Sequence, residues 1–133
     1  MKIPLSNKDK LALFVRIDRL NPALDPSEVG WFWDTNMSLN NGNLGAYYGV
    51  LNEIRLPEDA RLIIATQDEM LPSICHELWH AYQRKSMGLL IYKALAFRPW
   101  AGATVERGAR TEARRVELLL GIQGQDTGEQ VGD

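Results

Sequence analysis

Both histidines of the chain fall within one five-residue stretch, at His76 and His80, and Glu77 follows the first of them. On a helix, residues four apart lie one turn above each other on the same face, so this spacing lets two imidazoles reach one ion. Neutral imidazole is a good zinc ligand, and two of them leave a site that needs one more protein ligand and an open position. A carboxylate beside that face can take a proton from an activated water, which is the role open to Glu77. The segment is the H-E-x-x-H arrangement, among the more specific short motifs. Its surroundings predict the helix it needs: Asp68 as a cap, Pro72 in the first turn, and a run to about Ser86 ended by Gly88.

The rest of the chain reads as a mixture of helices and short strands. Ser6 or Asn7 caps a first helix with Leu13, Phe14, Ile17 and Leu20 on one face, stopped by Asn21-Pro22. Asp25-Pro26-Ser27-Glu28 has the form of a second helix start, predicting a short helix through Trp31, Phe32 and Trp33, with the three aromatics as core anchors. Asn40 to Asn43 is expected to be a turn or exposed loop. Residues 46–51 and 53–56 are rich in strand-forming side chains, Pro57 closes the second run, and residues 61–65 suggest a third strand. Helical stretches over 89–97, broken at Pro99, and over 104–120, ended by Gly121, complete the pattern. Residues 122–133 are polar and glycine-rich and are expected to be disordered. The predicted class is α+β, as one domain over residues 1–121.

A third ligand can be sought by elimination. No third histidine exists, and the single cysteine, Cys75, lies about 100° around the helix from His76 and is expected to be a small buried hydrophobe. Asp126 and Asp133 fall in the expected loose tail. Glu106, Glu112 and Glu117 on the last helix remain, with upstream acids such as Glu69 chemically possible. The apolar stripe of that helix is centred on Ala109, Ala113, Val116 and Leu120, and Glu106 and Glu112 flank it on opposite sides. Glu106, one turn before the small Ala109, best suits a close approach to the histidine helix. Glu112 is the alternative, because helix periodicity separates the two weakly. Glu117 is expected to pair with Arg110 or Arg114. Tyr92, Tyr82, Arg110 and Arg114 are candidates for stabilising an oxyanion.

The run from His76 to Gln83, H-E-L-W-H-A-Y-Q, resembles the active-site helix of the zincin metallopeptidases, particularly the gluzincin branch, whose small bacterial and phage members read H-E-L-x-H-x-x-Q. Glu106-Arg107-Gly108-Ala109, followed by Ala113, is similar to their second motif. The resemblance covers residues 46–120. It implies a zincin-like fold with a small antiparallel or mixed sheet packed on the two ligand-bearing helices. It also implies a zinc ion on His76, His80 and Glu106, Glu77 as general base, and residues 52–56 as the edge strand that pairs with extended substrate. Gly108 stands where many relatives carry a second acid, and the aromatic N-terminal region has no counterpart there.

Composition excludes other classes. A chain of 133 residues that is 45% hydrophobic supports one core, not two. A net charge of -2 with mixed signs lacks the basic face that tracking nucleic acid requires. One cysteine forms no intramolecular disulfide, and no run is apolar enough for a signal peptide or a membrane span. The expectation is therefore a soluble, cytoplasmic zinc peptidase acting on a peptide or protein, with no nucleic-acid or membrane partner. The rival expectations are a zinc amidohydrolase acting on a non-protein amide, and a zincin-fold binding or regulatory module.

Overall fold

The computed structural model describes residues 1–96 and 99–122. The predicted tail from residue 123, with Asp126 and Asp133, lies outside these residues, as does Phe97 at the predicted end of a helix. Among the described residues the protein is α+β, with five α-helices and one four-stranded mixed sheet. The strands are β1 (Lys2–Pro4), β2 (Gly30–Asp34), β3 (Ala46–Tyr48) and β4 (Glu53–Pro57). They lie in the order β1-β2-β4-β3, with β2 and β4 parallel and both outer pairs antiparallel. The helices are α1 (Asn7–Leu20), α2 (Arg61–Thr66), α3 (Leu71–Met87), α4 (Leu89–Ala96) and α5 (Pro99–Leu120). No helix among the described residues is long and apolar enough to cross a membrane.

Local chemistry explains most boundaries. Ser6 caps α1 by accepting the Asp9 amide, and Asn21 ends it, with Leu13 and Ile17 buried on its inner face. Asp25 caps as read, but only a single 3-10 turn over Pro26–Glu28 follows. The predicted helix through Trp31, Phe32 and Trp33 is instead strand β2. Aromatic side chains suit a pleated surface, and strand alternation sends Trp31 and Trp33 into the core while Phe32 faces the other way, beneath the Lys2 ammonium. A helix would have spread the three rings around most of its circumference.

The predicted strand at 61–65 is helix α2, which turns Ile64 inward one helical turn after the buried Ala60 that precedes it and leaves Leu62 exposed. Asp68 does not cap α3 through its side chain. That carboxylate pairs with Arg16 at 2.6 Å, and its backbone carbonyl accepts the Leu71 amide. Helix α5 begins at Pro99, five residues before the expected start, consistent with the fitness of proline for a first helical position.

The strand at 53–57 is not an edge. β4 pairs on both sides, and the edge next to α3 is β3. Helix α3 is the central element, packed on α5, α4 and β3. Its contact with α5 is close because Ala109 and Ala113 are small and fully buried. This contact sets two helix faces against each other and creates the site.

Candidate metal centre

His76 and His80 point from α3 toward α5, with 0% and 6% of their surface exposed. Their ring centroids are 5.2 Å apart and the ring planes are nearly perpendicular. Glu106 arrives from α5, its Oε1 2.5 Å from His76 Nε2 and its Oε2 3.4 Å from His80 Nε2. One ligand atom from each of the three residues can be chosen so that all lie within 4.8 Å of one another. Among the described residues these three form a group that could hold a metal ion. The Glu106 side chain is 23% exposed, so the cluster sits at the edge of the core with a route to solvent.

The donor set fits a divalent ion. Two nitrogens and a carboxylate oxygen are a zinc-type set, and around a tetrahedral ion with bonds of about 2.0–2.1 Å they would stand roughly 3.3 Å apart. The separation of His80 Nε2 from Glu106 Oε2, 3.4 Å, is close to that value, and the separation of His76 Nε2 from the other oxygen, Oε1, is tighter. Glu106 Oε1 is buried against His76 Nε2. Burial raises the Glu106 carboxyl, but the two imidazoles beside it outweigh that and hold it at about 2. The third donor is therefore a carboxylate throughout the physiological range.

Glu77 is 2% exposed and is held from the sheet side. The backbone N–H of Tyr47, on edge strand β3, donates to Glu77 Oε1 at 3.0 Å. The other oxygen, Oε2, lies 3.8 Å from His76 Nε2, so the carboxylate spans from the strand to the ligand cluster. Glu112 is elsewhere. It is 5% exposed, accepts from Asn21 Nδ2 at 3.0 Å and from Arg115 at 2.8 Å, and fastens α5 to the end of α1.

Of the oxyanion candidates, Tyr92 is the one whose ring the structure places beside the cluster, buried with its centroid 6.3 Å from that of His80 and 6.2 Å from that of Tyr47. Tyr82 is on the surface, stacked on Trp79, and Arg110 and Arg114 are exposed. Cys75 is fully buried, and burial pushes its thiol up to about 12, which makes it an inert core residue.

Two further contributors have no role assigned from sequence, although Gln83 closes the H-E-L-x-H-x-x-Q run. Gln83 Oε1 lies 2.9 Å from His80 Nδ1, and Gln83 Nε2 donates to the Val105 carbonyl at 3.0 Å. Its position one turn after His80 was a readable signal. The Tyr47 amide has no side-chain signature at all. Compared with known families, curated proteins and solved structures, the chain matches none, so the chemistry of the site rests on its own geometry.

Proposed function

We propose that the protein is a zinc-dependent peptidase of zincin-like build, with zinc on His76, His80 and Glu106 and with Glu77 as general base. The observation that carries this reading is the joint placement of Glu77. One oxygen is anchored to an edge strand, and the other stands beside a three-residue ligand cluster. A pure metal-storage or structural site has no use for a fourth residue, a non-ligating carboxylate, in that position.

Zinc, when bound, supplies Lewis acidity toward a carbonyl and acidifies water. The chain's own residues supply the rest. β3 offers an edge along which an extended peptide can lie, bringing its backbone to the level of Tyr47 and therefore of Glu77. Glu77 Oε2 takes the proton from the attacking water and returns it to the leaving nitrogen. The Tyr47 amide keeps the carboxylate in place during both transfers. The buried walls formed by Tyr92 and the two imidazoles limit the water that can compete.

The test is Glu77→Gln, assayed with zinc-loaded protein on unfolded protein, short peptides and cell-wall amides. The expected result is peptide cleavage by the parent, with zinc content retained and turnover lowered about 10²- to 10⁴-fold in the variant. Equal cleavage by parent and variant would overturn the role of Glu77. Cleavage confined to the cell-wall substrates would move the reaction to another amide.

A further inference from the structure

We infer that Gln83 is a positioning residue of this centre: it fixes the His80 ring in the tautomer that leaves Nε2 open to a cation, and it ties that ring to the helix carrying Glu106. The inference rests on the metal reading above and adds a residue to it.

The argument starts at Val105, whose carbonyl oxygen can only accept a hydrogen bond. The end of the Gln83 amide 3.0 Å from it is therefore the NH₂ group. The opposite end, 2.9 Å from His80 Nδ1, is then the carbonyl oxygen, which also can only accept. His80 Nδ1 must be the donor. In the neutral imidazole one nitrogen carries the proton and the other a lone pair, so Nε2 presents its lone pair toward Glu106 Oε2, 3.4 Å away. Two acceptors facing each other call for a positive charge between them, which a proton or a divalent cation supplies, and with Nδ1 already committed to Gln83 it is Nε2 that a cation would take. A single backbone carbonyl on α5 thus dictates, through one amide, which nitrogen on α3 is available for a metal.

The same amide also fixes distance. Val105 immediately precedes Glu106, so the bond from Gln83 to Val105 holds the Glu106 backbone at a set height against His80. Gly108, one turn further along α5, makes room for this. A Cβ there would come within 2.9 Å of Gln83 Nε2 and 3.0 Å of Trp79 Nε1. Groups that orient a metal-binding histidine through its second nitrogen typically alter metal affinity about 10- to 100-fold when removed.

The test compares the parent with Gln83→Leu, which keeps volume but makes neither bond, and with Gln83→Glu, which keeps an acceptor for His80. Zinc affinity is measured by competition with a chelator. The His80 tautomer is read from ring ¹⁵N shifts in zinc-free protein above the imidazole titration range, and circular dichroism verifies folding. In the parent the proton sits on Nδ1. In Gln83→Leu it moves to Nε2, facing Glu106, and zinc affinity falls about 10- to 100-fold. Gln83→Glu gives up the Val105 bond but keeps the parent's tautomer, so its affinity falls less than that of Gln83→Leu, a partial rescue that a packing role would not give. A folded Gln83→Leu with the parent's tautomer and affinity overturns the inference, as does equal loss in both variants. A parent that binds no zinc overturns the proposed function instead.

Discussion

The amide of Tyr47 and the carboxylate of Glu77 are joined by a 3.0 Å hydrogen bond that couples the edge of the sheet to the histidine helix. Both groups are buried, so the bond has a structural side as well as a chemical one. Gln in place of Glu77 retains a carbonyl acceptor for that N–H, whereas Ala removes it and leaves a buried donor without this partner. Glu77→Ala should lose about 1–3 kcal/mol of stability, and Glu77→Gln should stay close to the parent. Urea unfolding of the two zinc-free variants checks this. Equal stability in both would mean that the bond holds nothing together.

Glu106 and Glu112 should separate cleanly in a metal-content experiment. Glu106→Ala removes the carboxylate that, among the described residues, groups with both imidazoles as a possible metal site, so zinc content should fall to background. Glu112→Ala should keep zinc and lose about 2 kcal/mol instead, because it breaks the charged hydrogen bonds to Asn21 and Arg115. Elemental analysis beside a thermal melt reads both. Loss of zinc in Glu112→Ala with Glu106→Ala unaffected would reverse the assignment.

The contrast between those two glutamates shows what a sequence can and cannot convey. The histidine helix, the Ser6 cap and the Pro57 stop follow from chemistry within a few residues, and each is readable locally. The fate of Glu112 depends on Asn21, 91 positions away, and no local pattern announces that pairing. The helix expected through Trp31 to Trp33 is a strand, and a short aromatic run has no period long enough to separate the two. What decides is the register with β4, which places Trp31 opposite Ile54 and Trp33 opposite Leu56. The partner of Glu77 is a main-chain amide, and only tertiary structure can disclose it. Gln83 lies between these cases: its spacing from His80 was visible, but its second bond, to Val105, was not.

Acid should weaken the sheet through Glu53. This nearly buried carboxylate accepts from Lys2 at 2.8 Å and from Arg55 at 2.7 Å, stitching β4 to β1 across β2. Burial alone would raise its pKa, but the hydrogen bonds and charges of Lys2 and Arg55 outweigh it and hold the carboxyl below its usual value. A depressed folded-state pKa gives stability that is fully present above the unfolded value, about 4.3, and is lost as pH falls toward the folded one. Glu53→Gln should therefore be less stable than the parent at neutral pH, and the gap should narrow steadily below about pH 4.3. Urea midpoints measured across that range give the answer. A gap that stays constant with pH would mean that the charge contributes nothing.

Gly108→Ala offers the sharpest conflict between local preference and site geometry. Inside a helix, replacing glycine with alanine normally gains about 1 kcal/mol. Here the new Cβ would press on Gln83 Nε2 at 2.9 Å and on the rigid indole of Trp79 at 3.0 Å. Gln83 can yield only by giving up His80 or Val105, and the indole can yield only by disturbing its stack on Tyr82. Crowding of this kind costs about 1–3 kcal/mol, so the net effect should be a loss of up to about 2 kcal/mol. The functional consequence should be larger in relative terms. Zinc affinity should fall toward that of Gln83→Leu, because the displaced amide no longer orients His80. Denaturant unfolding and chelator competition on the same preparation test both parts. An alanine variant that is more stable than the parent and binds zinc equally well would show that the helices have slack at this point, and that Gly108 is there for some reason other than making room for Gln83.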